Sequence, residues 1–266
     1  MSELLTNVLK NLSVYLTNYK AVSEEELMWR IDQEIDALTD DEKKNLDIII
    51  EDDAKQAIFE SIIGKQCISV FCPDMHVKLN FSGEVFYCPP SHKYIPEEME
   101  KGFKRLINLR FEKIFPEIKK TVLDLMTKSG YKTIDNQSPV AGEYCNIKAI
   151  KNDKEIQLLI FQSIIFIPEK FGEVEKITGD YAMIVPPEKS PAPFVSFIRD
   201  NINTISGNPR MMIWLANHKE NVVSPFMNMT EDLEIWNNFT NPERSLQATQ
   251  NLITGAMRST PLDEDF

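Results

Sequence analysis

The chain is poor in glycine, cysteine and histidine, with nine, four and three of them among 266 residues. So few glycines leave little room for a phosphate-cradling loop, and neither a Walker A pattern nor a dinucleotide fingerprint occurs. No apolar run approaches the ~20 residues that span a bilayer. The longest, residues 158–167, is broken by Gln162 and Ser163. The opening MSELLTNVLKNLSVYL lacks the basic start and small-residue cleavage site of a secretory signal. Four cysteines without a disulfide-like pattern suit a reducing compartment, so the expected location is cytoplasmic, with no membrane partner. Positive charge is also scarce: 29 Lys and Arg stand against 41 Asp and Glu, a net charge of −12. That argues against a protein that coats nucleic acid through a uniformly basic surface, although a polarised acidic protein can still bind a polyanion on one face. Nucleophile patterns are missing as well, with no Gly-x-Ser-x-Gly and no arguable Cys–His pairing. His218, in Asn217-His218-Lys219, reads as a surface-loop residue.

What the chain does have is one doubled pattern, Cys72-Pro-Asp-Met-His76 and Cys88-Pro-Pro-Ser-His92. Between the copies, Val77 to Phe81 alternates, Ser82-Gly83 supplies a turn, and Val85 to Tyr87 is β-branched and aromatic. A hairpin of that length brings both Cys–His pairs to one end. Cys72, His76, Cys88 and His92 then form a closed tetrahedral set suited to one structural Zn²⁺. With no carboxylate and no vacant position, such a site does not activate water. The competing reading is a plain hairpin with a buried thiol at each end. The paired knuckles resemble zinc-ribbon modules over residues 71–94, except that the second ligand of each pair is His at a spacing of four rather than Cys at three. Cys67, in the strand-like CISVF, reads as core.

Four organisational blocks follow: 1–66, an acidic helical module; 67–96, the zinc hairpin; 97–240, an α/β domain; and 241–266, a helical segment with an acidic tail. In the first, residues 3–19 carry helical spacing, Ser23 with Glu26 and Thr39 with Glu42 are capping boxes opening helices 24–37 and 40–51, and 53–64 is a fourth helix closed by Gly64. This block reads as a small helical or winged-helix module, or as a helical cap. From Pro96 a long helix runs to Ser129-Gly130 with a kink or restart at Pro116. Strands follow over 131–134, 144–150, 156–167 and 181–185, then a helix over 193–205, a strand over 211–216, and helices over 229–239 and 240–257. The predicted fold class is α/β (α+β), a mixed sheet flanked by helices. Residues 258–266 are expected to be disordered.

The helix, strand, hairpin and helix–strand order of 97–216 resembles the core of restriction-endonuclease-like enzymes. The resemblance implies an acid and an Asp/Glu-x-Lys on neighbouring strands holding Mg²⁺ beside a phosphate. In one register Asp135 precedes Asn146-Ile-Lys148, with Asn where the second acid belongs. In the other, Glu143 or Asn146 faces Leu158 to Gln162, which contains no acid and no Lys. The site looks degenerate.

Charge is uneven along the chain. Residues 23–60 hold fourteen acids against four basic residues, whereas 101–128 hold eight Lys or Arg against three acids. Lys101, Lys104, Arg105, Arg110, Lys113, Lys119 and Lys120 are the candidate nucleic-acid contacts. Asp263, Glu264, Asp265 and Phe266 are candidate partner contacts, similar to the acidic, Phe-ended tails of single-stranded-DNA-binding proteins. Three functions stay in play: a non-catalytic zinc-stabilised protein acting on nucleic acid or in an assembly that handles it, a protein–protein adaptor working through its acidic helices or tail, and an atypical metal-dependent nuclease.

Overall fold

The computed structural model describes residues 3–45, 51–64, 76–88, 96–135, 140–188 and 191–258. The chain divides into two compact units, Met1–Leu109 and Arg110–Phe266. Helices flank a mixed six-stranded sheet, and a smaller antiparallel sheet completes an α+β fold.

In the first unit the order is α1 (Glu3–Asn18), β1 (Val22–Ser23), α2 (Glu24–Asp36), α3 (Asp40–Asn45), α4 (Glu51–Ile63), β2 (Val77–Phe81), β3 (Glu84–Cys88) and α5 (Pro96–Leu109). The hairpin forms where the alternation places it. Ser82 and Gly83 both have positive φ, 51° and 80°, which matches the twist of a two-residue turn. Val77 pairs with Cys88 and Phe81 with Glu84. β1, which sequence reasoning missed, adds to the other side of β3 through Val22–Tyr87 and Ser23–Phe86, giving the order β1-β3-β2. A single strand then serves two layers. Phe86 and Cys88 pack with Ala21 and with Met99 and Leu106 of α5, while Tyr87 and Val85 join the apolar faces of α1, α2 and α4. Gly102 lets α5 come this close, because a Cβ there would lie 2.7 Å from the Ala21 carbonyl oxygen.

The chain stays helical from α5 through a π-turn (Arg110–Ile114) into α6 (Phe115–Lys128). Pro116 has no N–H to give the carbonyl one turn back, and the widened turn just before it absorbs the mismatch. Then come β4 (Lys132–Asp135), β5 (Cys145–Lys151), β6 (Lys154–Ile160), a 3₁₀ turn (Ile164–Phe166), α7 (Ile167–Val174), β7 (Asp180–Val185), α8 (Ala192–Gly207), β8 (Met211–Asn217), β9 (Val222–Met227), α9 (Leu233–Asn238) and α10 (Pro242–Arg258). The strands lie in sequence order. β4 to β6 are antiparallel, β6 to β8 parallel, and β9 antiparallel at the far edge. One face buries Ile147, Leu158, Ile184 and Trp214 against Ile118, Val122 and Met126 of α6 and Ile235 of α9. On the other face, α8 reaches the sheet through Phe194 on Phe226, and α7 packs on α8 through Phe171 and Phe197.

In the second unit, three stretches differ from the sequence reading. The strand expected over 156–167 stops at Ile160, and Ser163 caps a turn that becomes α7. β9 fills a stretch left without an element. The helix expected over 229–239 is only Leu233–Asn238.

Candidate functional site

The hairpin brings two of the four expected zinc ligands to its open end. His76 precedes Val77, which pairs with Cys88, and the His76 N–H points to the Ile63 carbonyl at 3.4 Å. Cys88 turns inward, its sulfur 3.6 Å from the Met99 sulfur, and burial pushes its thiol pKa up. Cys72 and His92 lie outside the described residues, as does Cys67. Among the described residues no group of three or more His, Cys, Asp or Glu is arranged to hold a metal ion. A metal at the hairpin end would have to displace the Cys88 proton, which burial otherwise favours keeping.

The seven candidate nucleic-acid contacts are divided between the two units and largely engaged within them. Lys101 pairs with Glu98 at 2.9 Å. Arg105 binds Glu26 through Nε at 2.8 Å, donates to the Ala21 carbonyl, and lies 4.5 Å above the Tyr19 ring. Arg110 is buried at the start of the π-turn. Lys119 pairs with Asp135. Lys104, Lys113 and Lys120 are exposed. Asp263, Glu264, Asp265 and Phe266 lie outside the described residues.

The first nuclease register separates its members. Asp135 sits opposite Ile147 and Lys148 opposite Ile134, so strand alternation sends Asp135 and Lys148 to opposite faces of the sheet. Asp135 meets Lys119 and lies 3.9 Å from the Cys145 sulfur, whereas Lys148 pairs with Glu155 at 2.7 Å. The second register does bring its stretches together. Gln162 Nε2 donates to the carbonyls of Val140 at 3.3 Å and Glu143 at 3.5 Å. The cation nearest Glu143 is Lys170 of α7, at 3.7 Å, and Asn146 bonds Gln157 at 3.4 Å. Residues 158–162 still offer no carboxylate. His218 is half-buried in the turn between β8 and β9.

Two polar centres were not singled out from the sequence. In the first unit, Glu26 is buried at 3% exposure and accepts from Tyr15 at 2.6 Å and from Arg105. In the second, Asp232 caps α9 through the N–H groups of Glu234 at 2.9 Å and Ile235 at 3.2 Å. It also accepts from the Tyr131 hydroxyl at 3.0 Å and meets Lys151 at 3.3 Å. The first ties α1, α2 and α5 to one another, and the second ties the start of α9 to Lys151 of β5. The available signal was the pairing of a helix-capping acid with an otherwise unexplained tyrosine.

Comparison with known families places one part of the chain. Residues 141–241 match the C-terminal domain of a domain of unknown function, DUF6834. The match runs from just before β5 to just beyond α9, so this part of the second unit is similar to that domain. No curated protein matches the chain.

Proposed function

We propose that the chain is a non-catalytic, zinc-stabilised adaptor that binds other proteins through its acidic first unit. The observation that carries this reading is where the charge falls. Residues 1–109 hold 12 Lys and Arg against 20 Asp and Glu, a balance of −8. Helix, strand, helices and a hairpin, with β1 beside β3, give this unit the connectivity of a winged helix carrying an additional helix. In that arrangement α4, the helix before the hairpin, is the element available to enter a groove. Its described exposed residues are Gln56, Ala57 and Ser61, and its Lys55 is held by Asp32 at 2.7 Å. Duplex binding requires cations along the reading element to replace condensed counterions, and this helix does not supply them. Zinc held by Cys72, His76, Cys88 and His92 would clamp the open end of the hairpin on that same unit. The run from α6 to β8 supports a restriction-endonuclease-like core that lacks the carboxylates for cleavage. No helix among the described residues is long and apolar enough to cross a membrane, and a cytoplasmic location belongs to this proposal.

The test is a titration of the full chain, at low salt, against labelled single- and double-stranded DNA and RNA. The adaptor reading expects no saturable, salt-sensitive binding. Binding that weakens steeply with salt and is lost when Lys104, Lys113 and Lys120 become Glu would overturn it in favour of a nucleic-acid function.

A further inference from the structure

The small sheet of the first unit ends on a strand that lacks most of the usual guards. β3 is paired on both sides, by β1 and by β2. β2 pairs with β3 alone among the described residues. Sheet edges are commonly blunted by proline, by a bulge or by a covering element. β9, at the edge of the large sheet, has the first two: Pro225, and a register shift where it passes Ile213 and Trp214. β2 contains neither proline nor glycine, and its register runs unbroken from Val77–Cys88 to Phe81–Glu84. Lys78 is its one charge. Val77 is 45% exposed, and Leu79 and Phe81 are only partly buried.

The strand is also its own complement. Reversed about Leu79, it sets Val77 opposite Phe81, Lys78 opposite Asn80 and Leu79 opposite itself. Alternation puts Val77, Leu79 and Phe81 on one face and the exposed Lys78 and Asn80 on the other. Two copies set antiparallel in one sheet are related by a two-fold axis normal to it, so each face stays on its own side. Apolar side chains then meet apolar ones, and polar meet polar. The backbone agrees with this register. The pair closing the two-residue turn, Phe81 and Glu84, is hydrogen-bonded, so Phe81, Leu79 and Val77 bond toward β3. Lys78 and Asn80 therefore turn their N–H and C=O groups outward. Sliding the pairing so that Lys78 faces its own copy would oppose like charges, which is destabilising.

We propose that β2 is a self-association strand, pairing with β2 of a second copy antiparallel about Leu79. The two small sheets become one of six strands, in the order β1-β3-β2-β2-β3-β1. Lys78 of each copy exchanges two backbone hydrogen bonds with Asn80 of the other, and each Val77 packs on the other copy's Phe81. A five-residue strand is about 17 Å long, so the contact is small and the dimer is weak and concentration-dependent. The pairing needs neither zinc nor another protein, so it stands apart from the adaptor reading.

Sedimentation velocity of the purified full chain, from about 1 to about 300 μM, reads the pairing. The wild type should move from one chain toward two as concentration rises. Asn80→Pro removes an outward N–H that β3 does not use. It should leave a monomer with an unchanged circular dichroism spectrum. Asn80→Glu sets an acid opposite Lys78 of the other copy, twice per dimer, and should tighten it about 2- to 30-fold. Asn80→Lys should loosen it by as much. Bulk charge predicts the reverse of both, because the first unit already carries −8. If Asn80→Pro does not fold, the two charge variants decide alone. A wild type that stays monomeric throughout, a dimer that survives Asn80→Pro, or one that Asn80→Glu loosens would overturn the proposal.

Discussion

Two glutamates with the same local signature show how much a residue's role depends on what packs above it. Glu42 sits on the surface, completes its box with Thr39, and the Thr39 backbone N–H holds its carboxyl below the usual range. Glu26 lies beneath α5, where an arginine and a tyrosine reach it before the cap does. The spacing of the motif was legible in the sequence, but the competitor was not, because Arg105 is 79 residues away. Asp232 repeats the lesson at α9. Burial alone would raise its pKa, but the Tyr131 hydroxyl, the N–H groups of Ile235 and Glu234, and Lys151 outweigh it and leave the carboxyl below the usual aspartate range. A depressed folded value means that the stabilisation is fully present above the unfolded value, near pH 3.9, and is lost as pH falls through the folded one. Asp232→Asn keeps the shape of the cap but loses the charge. Urea unfolding should therefore show a loss of about 1–2 kcal/mol at neutral pH that shrinks as the medium is acidified below about pH 4. A loss of the same size at both pH values would show that shape, not charge, carries the effect.

Among the elements, those with a strong local signal formed where periodicity placed them. The hairpin had alternation and a Ser-Gly turn, and α5, α6 and α8 had sustained helical spacing. The misses had weak or borrowed signals. β1 is two residues long and exists only because β3 lies beside it. The run from Ile156 to Ile167 is apolar apart from Gln157, Gln162 and Ser163, so its change from strand to helix could not be read from period alone. Ser163 and Pro168 were the local marks of that change, as cap and first-turn proline. The hairpin also carries the zinc proposal, and the expectation there is concrete. Elemental analysis of the purified chain should find about one Zn per molecule, and Cys88→Ser should lose the metal and melt earlier. A chain that folds fully in strong chelator and contains no zinc would reduce Cys88 to a buried thiol against Met99.

At the scale of the molecule, the acidity is concentrated rather than spread. Residues 110–266 hold 17 Lys and Arg against 21 Asp and Glu, a balance of −4, half that of the shorter first unit. This asymmetry was visible in the sequence. The internal use of Arg105, Arg110 and Lys119 was not, since a positive residue looks the same in sequence whether it faces solvent or a buried acid. The α+β architecture was legible for the same reason that the cleavage site was not. Fold follows from patterns many residues long, whereas a metal site requires particular acids on one face, and Asp135 and Lys148 are on opposite ones. Incubation with Mg²⁺ and plasmid or oligonucleotide DNA should accordingly give no cleavage. Cleavage abolished by Asp135→Ala or Lys148→Ala would reinstate a nuclease site.

The sequential order of the large sheet has a consequence for how the chain is made. From β4 to β9 every strand pairs with the one synthesised just before it, so the sheet lengthens at a single edge as a ribosome delivers it. A nascent chain that has emerged as far as Val185 already contains four adjoining strands of the finished order. In the acidic unit β2 and β3 pair locally, but β1 does not. Val22 must wait for Tyr87, and closing that loop orders the intervening helices in one event. β1 is therefore left without its partner until β3 has been made, whereas each strand after β4 in the large sheet meets its partner as soon as it emerges.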